Sequence, residues 1–99
     1  MQTKIFNYKF EDVFQASQNA LGKLDINIVK RDKIKKTIIA KSDTSIFSWG
    51  ENIQIIFEII SFSKTKVTVE STSDVQLFTW GKNDKNEKDI ITEITNSLK

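Results

Sequence analysis

The chemistry open to this sequence is narrow, because its 99 residues include neither His nor Cys. Imidazole acid–base catalysis, thiolate nucleophiles, disulfides and zinc or haem ligation all drop out. For hydrolysis there remain a Ser–Lys pair or two cooperating carboxylates. Ser63-Lys64 supplies the first pattern, but neighbours in a turn point apart. Glu11-Asp12 and Asp84 with Glu87 supply the second, and each falls at an expected helix start, where capping and the helix dipole account for it. Gly22, Gly50 and Gly81 are isolated, so no Gly-rich loop precedes a helix to cradle phosphate. The residues argue for a non-enzymatic protein with no metal site and no cofactor.

A more specific signal is aromatic. Phe47-Ser48-Trp49-Gly50-Glu51-Asn52 and Phe78-Thr79-Trp80-Gly81-Lys82-Asn83 share one pattern, 31 residues apart, and contain both tryptophans. In extended backbone the Phe and Trp of each copy share a face, and the following Gly can turn the chain. One copy leads into a strand and the other into a helix, so this is no solenoid repeat. The plain reading is that each junction plugs one end of the core with an aromatic pair. The sharper reading is that Phe47, Trp49, Phe78 and Trp80 converge as an aromatic-lined patch for an apolar ligand or a protein partner.

The third chemistry is electrostatic. Lys30, Arg31, Lys33, Lys35, Lys36 and Lys41 make residues 30–41 the most basic part of the chain, a candidate for nucleic acid or anionic lipid. Against nucleic acid stand a single Arg among 15 cations, a net charge of only +2 and the absence of any aromatic in that stretch. A solvated edge hairpin guarded by lysines is the simpler account.

Positioning these groups falls to elements that the periodicity outlines. Thr3–Tyr8 reads as a strand, and Phe10, Val13, Phe14, Ala20, Leu21 and Leu24 recur at helical spacing over residues 9–24, with Gly22 and Asp25 loosening the exit. A hairpin follows, from Ile26-Asn27-Ile28 to Thr37–Lys41, with no Gly, Asn or Pro in its turn. Ile53–Ile60 is the strongest strand and pairs antiparallel with Lys66–Glu70. Ile53, Ile55, Phe57 and Ile59 take one of its faces, and Gln54, Ile56, Glu58 and Ile60 the other. Asp84 with Glu87 reads as a capping box opening a last helix, whose buried stripe is Ile90, Ile91, Ile94 and Leu98. The order β-α-β-β-β-β-α gives an α+β fold, an antiparallel five-stranded sheet with both helices packed on one face and the lysine-bearing strands at its edges. No linker composition divides residues 1–99, which read as a single domain.

The stretch Ser-Trp-Gly-Glu before the central strand, then Val-Thr-Val-Glu-Ser and Gln-Leu-Phe-Thr-Trp-Gly-Lys-Asn before the last helix, is similar to a small bacterial domain family of unknown function, over residues 5–98. That family's second motif more usually reads Asp-Trp-Gly-Lys-Asn, where this chain has Thr79, so no role resting on an acid carries over. The resemblance implies an α+β domain and no catalytic residue.

With both helices on one side, Val29, Ile39, Ile56 and Ile60 are expected to stay uncovered, a surface for a protein partner or a second copy of the chain. The expected function is a binding or interaction module using Phe47, Trp49, Phe78, Trp80, Ile56 and Ile60. The alternative is weak polyanion binding through Lys30, Arg31, Lys33, Lys35 and Lys36. No stretch resembles a signal peptide or spans a bilayer, so a cytoplasmic location is expected.

Overall fold

The computed structural model describes residues 1–42, 51–73 and 82–99, with side chains over 1–42, 52–71 and 86–99. Its elements are β1 (Gln2–Phe6), α1 (Phe10–Lys23), β2 (Ile26–Asp32), β3 (Thr37–Ser42), β4 (Glu51–Ser61), β5 (Lys64–Ser73) and α2 (Lys82–Leu98). The strands form one open antiparallel sheet in the order β1-β5-β4-β3-β2. The fold is the α+β arrangement that the alternation of periods implies.

The most apolar strand, β4, is hydrogen-bonded on both sides, which removes its exposed backbone as a template for aggregation. The edges fall to β1, with Lys4, and to β2, with Lys30 and Arg31 and a register shift between Ile28 and Lys30. Cationic side chains and a bulge are both ways of making an edge unattractive to a further strand.

Ile53, Ile55 and Phe57 of β4 are buried with Ile38, Ala40, Val67 and Val69 from its neighbours. Val13, Phe14, Ala20 and Leu21 of α1 and Ile90 and Ile94 of α2 join the same cluster, so both helices cover one face of the sheet. Phe57 holds α1 down through two rings, with centroids 5.3 Å from Phe14 and 5.7 Å, edge-on, from Phe10. Ile59 shares the parity of this face yet stays exposed, although Thr65, opposite it on β5, is fully buried.

Gly22 lies in the last turn of α1, the chain leaves through Leu24, and Asp25 takes the left-handed conformation at φ 57°. Two local expectations are corrected. α2 begins at Lys82, two residues before Asp84, so Asp84 lies within the helix. Glu87 does not complete a capping box, since its carboxylate is buried in a contact with β5 described below.

The β2–β3 turn solves its lack of glycine in two ways. Lys36 itself adopts φ 55°, and Asp32 Oδ1 accepts the backbone N–H groups of Lys35 at 2.9 Å and Ile34 at 3.1 Å. The Lys35 amide, above all, holds the Asp32 carboxyl below its ordinary value of 3.8.

Gly22 offers a direct check on the end of α1. Nothing lies within 4 Å of a Cβ placed there. Gly22→Ala is therefore expected to stabilise the protein by about 0.5–1 kcal/mol, because Ala has less backbone freedom to lose in a helix. Urea denaturation reads this, and a destabilised variant would mean that the last turn of α1 needs a glycine.

Candidate interaction surface

The uncovered face of the sheet is built by the other parity of each strand. Register aligns Thr3, Thr68, Ile56 and Thr37 in one row across β1, β5, β4 and β3, and Glu70, Gln54 and Ile39 in the next. Ile56 and Ile39 are diagonal neighbours on adjacent strands, within reach of one another's methyl groups. They remain 38% and 39% exposed in the middle of the sheet. Val29, at the β2 bulge, and Ile60, at the β4 irregularity, are exposed too, so all four side chains expected on this face are uncovered. Thr3 and Thr68 share a hydrogen bond of 3.3 Å, and Glu58 stands opposite Lys66, which leaves the isoleucines as apolar islands in a polar field.

The sheet has two ends of different make-up. At one, Lys41 pairs with Asn52 and Glu51 with Ser73, so the strands that flank residues 43–50 and 74–81 meet there. Phe47, Trp49, Phe78 and Trp80 fall within those two segments and lie outside the described residues. At the other end are the β2–β3 turn, the β4–β5 turn and the β1–α1 connection, tied to β5 by Thr65 Oγ1 donating to the Tyr8 carbonyl at 3.0 Å.

The basic residues gather at this second end. Lys30, Arg31, Lys33 and Lys35 are exposed and Lys36 is half-buried. Lys33 is engaged with α1, its Nζ 3.0 Å from Glu11 Oε2 and 5.9 Å from the Phe14 ring centre. An exposed pair of this kind contributes only about 0–1 kcal/mol, and it orients Lys33 more than it stabilises the hairpin. Two large apolar side chains stand among these cations at the turn apices, Ile34 at 89% and Phe62 at 87% exposure. Sequence reasoning passed over both, since a single apolar residue in a polar turn has no periodicity; its signal is the mismatch of residue type with turn position.

Glu87 is the other group that the sequence reading misplaced. It is 2% exposed. One carboxylate oxygen accepts the Ser71 N–H at 2.8 Å, and the other lies 2.7 Å from the α-amino nitrogen of Met1, so that α2 is stapled to β5 and to the start of β1. Its place three residues before Ile90 and seven before Ile94 puts it on the apolar stripe of α2, a spacing that marks it as inward-facing.

Catalytic geometry is not assembled among the described residues. Ser63 and Lys64 form part of an exposed turn, and the groove between the helices, lined by Tyr8, Asp12, Gln15, Asn19 and Ser97 among others, holds no carboxylate pair. No three acidic side chains among the described residues are placed to hold a metal ion. No helix among them is long and apolar enough to cross a membrane.

No protein-family model and no curated protein matches the sequence. Among solved structures, the crystal structure of TTHA0849 from Thermus thermophilus resembles the chain with a TM-score of 0.37 and 11% identity, over 98% of this chain and 88% of that one. A likeness at that level transfers no functional residue.

Proposed function

We propose that the protein is a non-catalytic interaction module that binds through side chains displayed on its sheet and hairpins. The observation that carries this reading is the uncovered pair Ile39 and Ile56, kept at the centre of the sheet face that neither helix reaches. Large apolar groups held in water at the centre of a face lose nothing on contact and gain by it. A protein surface, including a second copy of this chain, is the partner class that fits a sheet face of apolar side chains set in a polar field. The aromatic motif around Phe47, Trp49, Phe78 and Trp80 belongs to the same proposal, because the strand ends that flank both copies meet at one end of the sheet. A cysteine-free composition fits the reducing cytoplasm.

The test is Ile39→Thr/Ile56→Thr, which removes apolar surface while keeping β-branched residues in a sheet already rich in Thr. Stability is expected to change by less than about 1 kcal/mol. Partner capture by the tagged protein, or its self-association by light scattering, is expected to fall by about tenfold or more. Unchanged capture and an unchanged oligomeric state would remove this face from the proposal.

A further inference from the structure

The end of the sheet that carries the two turns combines apolar apices with a collar of cations. Phe62 and Ile34, at 87% and 89% exposure, are more exposed than any other large apolar side chain among the described residues. The last β3 partner of β4 is Thr37, opposite Ile56, and the β4–β5 hairpin continues to its turn at Phe62-Ser63. It therefore stands about 15–20 Å beyond the end of β3. Ile59 and Ile60 are exposed along this projecting part. The β2–β3 turn with Ile34 sits beside it, about two strand spacings or 10 Å across. A plane inclined to the strands touches both apices at once.

Lys35, Lys36 and Lys64 adjoin the apices, with Lys33, Lys30 and Arg31 behind them. The acidic groups facing this end are already engaged or offset: Glu11 with Lys33, Asp32 with the turn amides, and Glu58 opposite Lys66. Asp12 lies on α1, where it lines the groove between the helices.

We infer that this end docks on an anionic lipid surface, with Phe62 and Ile34 entering the interface and the surrounding lysines meeting the headgroups. The inference goes beyond the proposed function by naming a second partner, and it uses a different part of the sheet from Ile39 and Ile56. Aliphatic and aromatic groups at protruding apices suit a fluid apolar layer of no fixed shape, while lysines on long stems reach back to the charged boundary. Single-stranded nucleic acid fits less well, because base stacking needs aromatic platforms, and Phe62 is the one aromatic ring at the hairpin tips. The lysines supply attraction that falls with salt, and the apices supply the part that salt leaves in place.

The experiment is co-sedimentation with vesicles of phosphatidylcholine alone and with about 30% phosphatidylserine, at about 0.1 M and 0.5 M salt. Binding is expected only to the anionic vesicles. Lys35→Glu/Lys64→Glu is expected to weaken it by at least about fivefold per position. Ile34→Ser/Phe62→Ser, both at exposed sites, is expected to weaken it by about tenfold or more. The chain has no Cys, so Phe62→Cys and Lys23→Cys each take a single environment-sensitive dye. The dye at Phe62 is expected to shift to the blue on anionic vesicles, and the dye at Lys23, at the far end of α1, to stay unchanged.

Absence of vesicle binding, equal binding to neutral vesicles, or equal shifts at both labels overturns the inference. So does a Ser variant that keeps full vesicle affinity while charge reversal alone abolishes binding to vesicles and to a single-stranded oligonucleotide, which would mark a polyanion binder. Ile39→Thr/Ile56→Thr is expected to leave vesicle binding intact. If vesicle binding fails but that variant still loses its protein partner, the lipid inference falls and the interaction-module reading stands.

Discussion

Phe57→Ala is expected to destabilise the protein by about 3–5 kcal/mol, a large part of the total stability of a chain this size. The ring is 3% exposed on the central strand and is in contact with the rings of Phe10 and Phe14, which themselves lie 5.2 Å apart. Its removal forfeits the transfer energy of a buried aromatic and leaves a cavity that β4, hydrogen-bonded on both sides, cannot close by moving inward. It also deprives α1 of two ring contacts, each contributing about 0.5–1.5 kcal/mol beyond area. Phe62→Ala, five residues along the same hairpin, is expected to change stability by less than about 0.5 kcal/mol. Urea midpoints at constant m-value separate the two, and similar losses at both positions would mean that Phe62 is packed rather than displayed.

Glu87→Ala is expected to cost about 2–4 kcal/mol, with most of the loss coming from the Ser71 N–H, which is left in the interior without this acceptor. The contact with Met1 contributes less, since the amino group is more than half exposed and can return to water. Glu87→Gln keeps an acceptor of nearly the same shape and is expected to recover about half of the loss. The distinguishing measurement is amide exchange: protection at Ser71 should collapse in the Ala variant and survive in the Gln variant. If Glu87→Ala were within about 0.5 kcal/mol of the parent, the carboxylate would be no staple between α2 and the sheet.

These predictions rest on distinctions that the sequence carries only in part. Period-two alternation in Ile53–Ile60 and the three-to-four spacing of Val13 and Phe14 from Phe10 identify strand, helix and buried face, because burial imposes its own periodicity on residue type. The dense apolar character of β4 and the lysines of the edge strands likewise order the sheet, since an apolar two-sided strand needs a neighbour on each side. Where a residue's role depends on contacts distant in sequence, that legibility ends. Glu87 sits close to a helix start and looks like a cap, but its partners come from β5 and from Met1, which only the packing of α2 against the sheet brings to it.

The candidate surfaces divide in the same way. The uncovered isoleucines follow from alternation, once both helices are known to share a face. The exposure of Ile59 does not, because alternation puts it on the buried side and only the three-dimensional packing leaves it in water. Ile34 and Phe62 are each an ordinary apolar residue in a turn when read along the chain. What makes them a pair is that antiparallel pairing folds two hairpins so that both turns leave the sheet at one end, among lysines contributed by separate strands. By itself the sequence determined the order of the elements and most of the apolar face that is buried, because hydrophobic burial acts through local periodicity. The tertiary structure alone decided which exposed groups became neighbours, because that depends on strand register and on the distance each hairpin extends.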